Sequence, residues 1–549
     1  MKARIVVLLL VITAVVAGLP FGSAAAAPER VTTGEGPLTL SVNLTDSEQI
    51  RLDPATTYGT ASGNVVEQIF VGLVDLDDAT GEVRPELATD WTVSSDGTVY
   101  TFTLRSDVTW SDGTPVTASD AAYGILRSLD PATNSSGAWL LRFIENAQDY
   151  SSGTITDADQ VGVAAPDNTH LRITLESRAS YFLAILASAF ARPMPRQSIE
   201  AWGDDWTQVE HIVTNGAYRL TEWVAGDHIL LEKNPTYYDA ASVQIERVQA
   251  WRMDDSTAWQ MYMDGELDTV FVPWGASVDP ALAGELHAQP LGINYYYGFS
   301  VSQAPFDDPQ VRKAFCAAID RRGLIRDALG GPQQPEITFT PQGVFGHVDG
   351  YAENVGIPYD PAQARQWLTD AGYPNGDGLP PITLWFNTGP GHELIAEYVQ
   401  QAWIDHLGVS VTLASLPWRG GYLDLVYSGE AQISRLGWNP DYCDAYNFLG
   451  DAILPGRSRF GNWTSTAYDD LLSQAAGEQD PEVRKGLYKE AERILVETDA
   501  VVIPLYSLAA QVAAKPYLRR TYPGVGGPDI STWCIYTHHL SLPMVVRHD

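Results

Sequence analysis

Hydrophobic and polar residues alternate in several short segments of this chain, and a period of two indicates strands with one buried face. The clearest alternation runs through residues 38–44, 99–104, 170–175 and 228–232, and shorter apolar runs follow at 409–413 and 501–506. Turn residues bound these segments, as in Asn-Gly at 215–216. The pattern therefore predicts strands that are spread over most of the chain.

Other segments carry apolar residues at helical spacing. They predict helices over residues 64–74, 117–128, 309–328, 361–371, 392–407 and 481–496. Thr117 with Asp120 forms an N-terminal signal for the second of these helices, and Gly372 and Gly408 follow the ends of two others. Strands and helices thus alternate irregularly, which favours mixed α/β lobes over a single barrel or a repeat array.

Size and charge narrow the class of protein. A chain of 549 residues is long enough for two or three domains of roughly 100–200 residues each. Aromatic residues occur along the whole length, which indicates a folded chain. The net charge of −34 argues against nucleic acid as a partner and against docking on an anionic membrane, because both need clustered Lys and Arg.

The N-terminus has the pattern of an export signal. Lys2 and Arg4 precede an apolar run at 5–19, and small residues at 24–26 resemble a cleavage site. We expect residues 1–26 to be a signal peptide and the mature protein to be soluble outside the cytoplasm. No cysteine stands at the cleavage site for a lipid anchor, although an uncleaved anchor remains an alternative.

Three cysteines, Cys316, Cys443 and Cys534, leave two interpretations open. An oxidising compartment permits one disulfide and one free thiol. The alternative is three buried and unpaired cysteines.

A search for catalytic motifs gives no match. His392-Glu393 begins like a zinc-protease helix, but Ala396 stands where the second histidine is required. Residues 75–80 begin like a calcium loop and lack its later acid and glycine. Nucleophile-elbow, phosphate-loop and Cys-x-x-Cys motifs are missing from the sequence, and His538-His539 is typical of a surface pair. We expect a binding protein with no cofactor and no metal rather than an enzyme.

An ordered set of motifs carries a family resemblance. The early part has Gly-Glu-Val-Arg-Pro-Glu-Leu-Ala at 81–88 and Trp-Ser-Asp-Gly-Thr-Pro-Val-Thr-Ala at 110–118. The middle has Thr-Asn-Gly-Ala-Tyr at 214–218, and Ala-Pro-Phe-Asp follows at 304–307. Together with Trp438, Asp441 and Tyr442, these segments resemble the family 5 extracellular solute-binding proteins of ABC importers, and above all its oligopeptide-binding members.

The resemblance implies a two-lobed α/β clamshell with mixed sheets and a hinge, of the large three-domain type. Lobe I is expected to comprise residues 27–70, 194–291 and 507–549, and a small extra domain is expected at 71–193. Residues 292–506 would form lobe II, which covers the ligand. In such proteins the lobes close around a ligand, and the closed form docks on a membrane permease.

A peptide has an ammonium, a carboxylate and an extended backbone, and the resemblance implies a partner for each. Asp441 matches the partner of the peptide ammonium, since a charge in a dry cleft needs an opposite charge. Arg435 and His392 match anchors for the carboxylate of peptides of different length, so that three or four residues would be a reasonable ligand. His392 has a second interpretation as the residue at the start of its helix.

The resemblance also implies a surface for the peptide backbone. Residues 436–439, which include Gly437 and Asn439, are expected to offer a strand edge that pairs with the peptide main chain. Trp418 and Trp438 are expected to form aromatic walls for side chains. Tyr506 and the tyrosines at 295–297 are expected at the crossovers between the lobes.

The sequence departs from the oligopeptide-binding pattern at several positions. Ile293 and Asn439 stand where those relatives have two paired cysteines, and Leu291 stands where they have a larger aromatic residue. Residues 135–137 are smaller than their counterparts. These changes affect the side-chain pockets and therefore the preferred ligand.

The function that this set of residues favours is capture of short peptides for uptake by an ABC transporter, with the chain acting as a monomer. The alternatives are another cargo on the same fold, such as an oligosaccharide or a metal chelate, and a peptide-sensing receptor component. Asp441 and Arg435 together favour a zwitterionic peptide.

Overall fold

The computed structural model describes residues 30–32, 36–78, 80–273, 275–389, 391–525 and 527–539. The expected signal peptide at 1–26 lies outside these ranges. In the described residues, no helix combines the length and the apolar character that a membrane span requires.

The strands, in chain order, are β1 (Arg30–Thr32), β2 (Thr39–Thr45), β3 (Val74–Leu76), β4 (Val83–Pro85), β5 (Ala88–Val93), β6 (Val99–Leu104), β7 (Val163–Ala164), β8 (His170–Thr174), β9 (Tyr218–Val224), β10 (His228–Lys233), β11 (Arg247–Met253), β12 (Thr269–Phe271), β13 (Leu286–Phe299), β14 (Gln334–Pro335), β15 (Ile382–Asn387), β16 (Val411–Leu416), β17 (Ile433–Trp438), β18 (Val502–Ala514), β19 (Leu518–Arg519), β20 (Cys534–Ile535) and β21 (Thr537–His539).

The α-helices are α1 (Thr60–Ile69), α2 (Ala118–Leu129), α3 (Ala147–Ser151), α4 (Phe182–Leu186), α5 (Arg196–Trp202), α6 (Asp255–Met263), α7 (Pro309–Ala317), α8 (Arg321–Gly323), α9 (Gly350–Glu353), α10 (Pro361–Asp370), α11 (His392–Leu407), α12 (Leu423–Tyr427), α13 (Thr466–Gly477) and α14 (Pro481–Arg493). The capping of α2 is confirmed, because the Asp120 carboxylate accepts a hydrogen bond from the Thr117 backbone N–H at 2.8 Å.

One large mixed sheet runs through the molecule in the order β16-β15-β17-β13-β18-β12-β2-β11-β10-β9, and β14 pairs with β18. The pairs β15–β16 and β2–β11 are parallel, whereas β9–β10 and β10–β11 are antiparallel. A separate four-stranded sheet, β5-β6-β8-β7, lies within residues 88–174. The predicted α/β class with mixed sheets is confirmed.

Two long antiparallel strands, β13 and β18, connect the two halves of the large sheet. Their pairing stops at Pro290–Ala509 and resumes at Asn294–Ser507, so that residues 291–293 oppose only Leu508. This bulge, here called the hinge segment (residues 291–293), contains Gly292 with φ of +63°. An unpaired segment between two paired segments is a place where a sheet bends at low cost.

Most buried residues cluster on one side of the hinge segment or the other. One large cluster joins residues of β2, α1, α2 and β6 with the C-terminal segment and also includes Tyr442 and Ala476 from beyond the hinge segment. Beyond the hinge segment, the side chains of β13 alternate between two further clusters, with Tyr295 and Tyr297 in one and Tyr296 in the other. The domain boundaries themselves remain a prediction.

The helix predicted over 64–74 is wrong in its bounds. Helix α1 ends at Ile69, Phe70 is extended and β3 begins at Val74. Distant groups take the backbone hydrogen bonds at this point: the Arg192 guanidinium donates to the Phe70 carbonyl and the Asn215 side chain accepts from the Val71 N–H. Tertiary partners therefore end the helix early.

The single helix predicted over 309–328 is also wrong. Helix α7 ends at Ala317, and α8 begins at Arg321. The Asp320 side chain caps α8 by accepting a hydrogen bond from the Gly323 N–H at 3.0 Å. A π-helical turn, Leu324–Leu329, continues it. All three cysteines are buried and free, which agrees with the second of the two interpretations.

Candidate functional site

Asp441 follows β17 and Pro440 at a bend that one side chain stabilises. The Asn447 side-chain oxygen accepts a hydrogen bond from the Asp441 backbone N–H at 3.0 Å, and the Asn447 amide donates to the Asp441 carboxylate at 3.0 Å. Asn447 is fully buried at the start of a π-helical turn, Asn447–Asp451. The carboxylate orientation is therefore set by a buried neutral partner.

Asn447 also connects Asp441 to other groups of the site. Its side-chain oxygen accepts from the Trp438 indole at 2.9 Å, and its amide donates to Asp451 at 3.3 Å. Two residues expected at the site, Trp438 and Asp441, are thus held by one amide. Sequence reasoning missed Asn447, because a lone asparagine six residues after Asp441 carries no pattern.

A second carboxylate, Asp451, lies in the same network with its own cation. Arg142, far away in the sequence, pairs with Asp451 at 2.9 Å, and the Tyr442 hydroxyl donates to it at 2.6 Å. Asp441 has no such pair among the described ion pairs. Burial raises the pKa of Asp441 above its usual value. The Asn447 hydrogen bond lowers it, the charge of Asp451 raises it, and the more distant charge of Arg142 lowers it.

Arg435 is a half-buried cation with no carboxylate partner in the described ranges. It lies on β17, with its guanidinium carbon 4.4 Å from the centre of the Tyr295 ring, and it donates to the Asn387 side chain at 3.2 Å. Its Nε is buried without an acceptor. A neutral amide and an aromatic face hold this guanidinium in place and leave its charge uncompensated.

His392 is the first residue of α11 and adjoins Arg435 through Tyr295. The Tyr295 hydroxyl and the His392 Nδ1 are 3.1 Å apart. Burial, and next the positive charge of Arg435, lower the pKa of His392 to about 4, so the imidazole is neutral at pH 7. In this arrangement Arg435 supplies the charge and His392 supplies a neutral hydrogen-bonding group.

One edge of β17 is free over the segment between the two charged groups. On one side β17 pairs with β13 along its whole length, from Phe299–Ile433 to Asn294–Trp438. On the other side, the described pairs with β15 stop at Trp385–Ser434. Residues 435–438, including Gly437, therefore have no strand partner on this side among the described pairs and can offer backbone groups to an extended chain. Two of these groups are already bonded, since the Arg435 carbonyl accepts from the Tyr422 hydroxyl at 2.5 Å and the Trp438 N–H donates to the Asn294 side chain at 2.9 Å.

Aromatic and exposed side chains surround this edge. Trp418 is 39% exposed and packs on Tyr422, with ring centres 5.8 Å apart. Asn439 is exposed directly after β17. Tyr506 of β18 stacks on Tyr295 at 4.8 Å, which places it beside the Arg435 cluster.

Two further exposed aromatic residues were not foreseen. Trp139 is 44% exposed, and its ring lies 5.1 Å from the guanidinium carbon of Arg142, which pairs with Asp451. Tyr58 is 73% exposed, just before Thr60, which lines a cavity of about 370 Å3 next to Pro440. Exposed aromatic residues near a cavity are a signal of a binding site, but the sequence alone does not show which aromatic residues are exposed.

No group of three or more metal-ligating side chains occurs among those that the structure describes. The side chains of His538 and His539 lie outside them. The site thus combines an acid and a cation, neither with a direct ion pair among the described residues, with a strand edge beside the hinge segment, which is the arrangement of a ligand-binding site.

The comparisons with known proteins agree with this class. Residues 82–458 match the family model described as "Bacterial extracellular solute-binding proteins, family 5 Middle". The chain belongs to this family, as its motif order indicated, and the two-lobed clamshell and its extracytoplasmic setting follow from that membership.

Several relatives are similar over most of their length. The probable deoxycholate-binding periplasmic protein YgiS of Escherichia coli is 34% identical, covering 85% of this chain and 88% of YgiS. The periplasmic oligopeptide-binding protein OppA of Escherichia coli is 31% identical over 93% of this chain and 94% of OppA.

Among solved structures, the unliganded open form of the periplasmic murein tripeptide-binding protein MppA matches with a TM-score of 0.84 at 31% identity, covering 91% of this chain and 98% of MppA. A second structure of the Escherichia coli MppA matches with a TM-score of 0.65 at the same identity, over 92% and 99%. The structure of this chain is thus more similar to the unliganded open form of MppA than to this second structure.

Proposed function

We propose that this protein captures short zwitterionic peptides outside the cytoplasm by closing its lobes and delivers them to the membrane permease of an ABC transporter. One observation carries the proposal: Asp441 and Arg435, neither of which has a direct ion pair among the described residues, lie along one strand edge that has no partner there. A peptide offers the two missing charges and an extended backbone between them. The ligand would complete two ion pairs and one strand pairing at once.

The spacing suits short peptides. From Arg435 to Trp438 the strand rises by roughly 10 Å, at about 3.3 Å per residue, and Asp441 follows after a bend. An extended peptide of three or four residues covers a similar distance between its charged ends. His392, neutral and adjacent to Arg435, would donate to the same carboxylate or to that of a longer peptide.

The relatives support a peptide but do not fix the cargo. The names of OppA and MppA refer to oligopeptides and a murein tripeptide, whereas the name of YgiS refers to deoxycholate. Deoxycholate has a carboxylate and no ammonium, so it would leave Asp441 without a partner. The unpaired Asp441 therefore favours peptides over a ligand of that kind.

The remaining parts of the proposal concern partners. The permease is the protein partner that family membership implies, and the chain would act as a monomer that binds and releases its ligand without chemical change. Neither a cofactor nor a nucleic acid has a role in this proposal. Export by the segment 1–26 would bring the protein to its site of action.

The proposal is tested by native mass spectrometry of the mature protein, followed by release and sequencing of the bound material. We expect a mixture of peptides that is dominated by three and four residues. Recovery of a sugar, a metal complex or another compound without an amine would reject the peptide assignment and keep the fold. A protein that arrives empty is titrated calorimetrically with tri-alanine, and failure to bind would count against the proposal.

A further inference from the structure

The cavity of about 370 Å3 next to Pro440 differs from the surroundings of Asp441 and Arg435 because its lining is mostly apolar. Its walls are contributed mainly by β2, α1, β12, β13 and the C-terminal segment at 520–533. Most lining side chains are apolar, among them Leu44, Val65, Leu231, Val248, Val270 and Trp533. Burial of an apolar ligand group is therefore favourable here.

Arg520 is the one charged residue among the described residues that line this cavity. Its guanidinium donates to the Thr269 hydroxyl at 2.7 Å, to the Gln289 side chain at 3.2 Å and to the Thr521 carbonyl at 3.1 Å. These bonds use three of the five N–H groups of an arginine. One N–H on each terminal nitrogen has no acceptor within the described part of the chain.

No carboxylate neutralises Arg520 among the described ion pairs. The nearby Asp78 accepts a hydrogen bond from the Thr521 hydroxyl at 2.5 Å and forms no ion pair with Arg520 among the described residues. Two rings, those of Tyr522 and Trp533, flank the guanidinium carbon at 4.6 and 4.5 Å. Burial lowers the pKa of Arg520 to about 10, and the charges of Tyr522 and Asp78 offset only part of this effect.

Asn43 supplies a second unsatisfied polar group at the cavity wall. Its side-chain oxygen is buried and has no hydrogen-bond partner in the described residues. Holding a cation without an ion pair and an amide oxygen without a donor in a mainly apolar wall costs free energy. A bound group that is apolar along its length and anionic at its end would compensate Arg520, and a donor on that group would compensate Asn43.

We propose that this cavity binds an apolar ligand group that ends in one carboxylate or similar anion, with the anion on Arg520. The inference rests on the proposed function only in placing the cavity within the ligand cleft. The same chemistry has two sources, an acidic side chain of a bound peptide and a free amphipathic acid. The anion of this group would pair with Arg520, whereas the peptide carboxylate would pair with Arg435.

The test uses fluorescence titration of the mature protein, freed of ligand by unfolding and refolding, with 1-pyrenebutyrate and its neutral match 1-pyrenebutanol. We expect the acid to bind at least ten times more tightly than the alcohol. Arg520→Gln should abolish this preference and leave the alcohol unchanged, whereas Arg435→Gln should preserve it. Equal affinities of the two probes, or loss of the preference in Arg435→Gln alone, would overturn the inference.

The comparison of acid with alcohol in the unmodified protein stands even if Arg520→Gln fails to fold. Leu291→Trp, which adds volume at the cavity wall, gives a steric test and should weaken both probes. Binding of tri-alanine without the acid would reject this inference alone, and binding of the acid without tri-alanine would reject the proposed function alone.

Competition identifies the source of the anion, and both results support the role of Arg520. Displacement of the acid by tri-peptides that carry one Glu, but not by tri-alanine, assigns the cavity to a peptide side chain. Retention of the acid beside every saturating peptide assigns it to a separate amphipathic acid.

Discussion

At the scale of single residues, the site is organised by neutral groups that hold charges without neutralising them. Asn447 orients the Asp441 carboxylate, and Tyr295 with Asn387 orients the Arg435 guanidinium. Each charge is thereby kept in place and left available. The hydrogen-bonding capacity of Asn447 is fully used, so a substitution there would disturb Trp438 and Asp441 together.

Asp441→Asn should weaken the binding of tri-alanine by about 2–5 kcal/mol, because the ligand ammonium would then be buried without a counter-charge. Isothermal titration measures the loss. Asp470→Asn, which removes an exposed charge from α13, is the matched control and should bind like the unmodified protein. Equal affinities of Asp441→Asn and the control would remove Asp441 from the site.

Peptide affinity should also depend on pH through Asp441. Burial raises its pKa in the free protein, and the ammonium binds the ionised form. Affinity is therefore complete above this raised pKa and is lost as the pH falls through it toward the ordinary value of 3.8. Titrations over this range should show a flat profile for Asp441→Asn, and an equally steep profile would assign the effect to another group.

Arg435 is expected to bind the peptide carboxylate. A thermodynamic cycle that combines Arg435→Gln with an amidated ligand isolates this interaction. Amidation of tri-alanine should cost the unmodified protein about 2 kcal/mol or more and should cost Arg435→Gln much less. The two losses should not add, because amidation and Arg435→Gln each remove the same ion pair. Additive losses in the cycle would show that Arg435 and the carboxylate do not meet.

At the scale of elements, β17 and the hinge segment decide how the site is built. β17 pairs fully with β13 and only at its start with β15, which leaves the edge free where a ligand backbone is required. The family resemblance implied a strand edge over residues 436–439, but the local sequence pattern does not show which edge of β17 lacks a partner. Pairing partners come from residues far away in the chain, so local pattern does not identify them.

Gly292 in the hinge segment has a positive φ and close neighbours. A Cβ at this position would lie 2.8 Å from the Gly524 carbonyl oxygen and from a methyl group of Val525. Gly330 has a similar φ of +64° with open space around it, so Gly330→Ala measures backbone strain alone, about 1–2 kcal/mol. Gly292→Ala should lose more stability than this control in urea unfolding.

Gly292→Ala should additionally change the affinity for tri-alanine, because the displaced contacts lie between the hinge segment and the C-terminal segment. Gly330→Ala should leave the affinity unchanged. Identical stability losses and identical affinities for the two variants would show that the packing around Gly292 has no influence on closure.

At the scale of the whole molecule, each lobe has a core that is mostly its own, although Tyr442 and Ala476 from beyond the hinge segment join the first cluster. The lobes can therefore move largely as bodies. A ligand that contacts both lobes stabilises the closed form by its differential affinity.

Tri-alanine should therefore reduce the radius of gyration in X-ray scattering and raise the free energy of unfolding with ligand concentration, by about 2.7 kcal/mol at one hundred times Kd. Asp441→Asn should need proportionally more peptide for the same change. A stability increase with no change in the radius of gyration would show that binding does not close the lobes.

The sequence by itself determined the elements whose hydrogen bonds are local. The strand at 99–104, the capped helix α2, the bounds of α11 and the ordered family motifs were all readable, because alternation and capping act over a few residues. Only the tertiary structure decided where α1 ends, that Arg142 pairs with Asp451, and that Arg435 and Arg520 form no ion pair among the described residues. Those features depend on groups that are distant in the chain, and a sequence pattern shows which charges exist but not which of them are compensated.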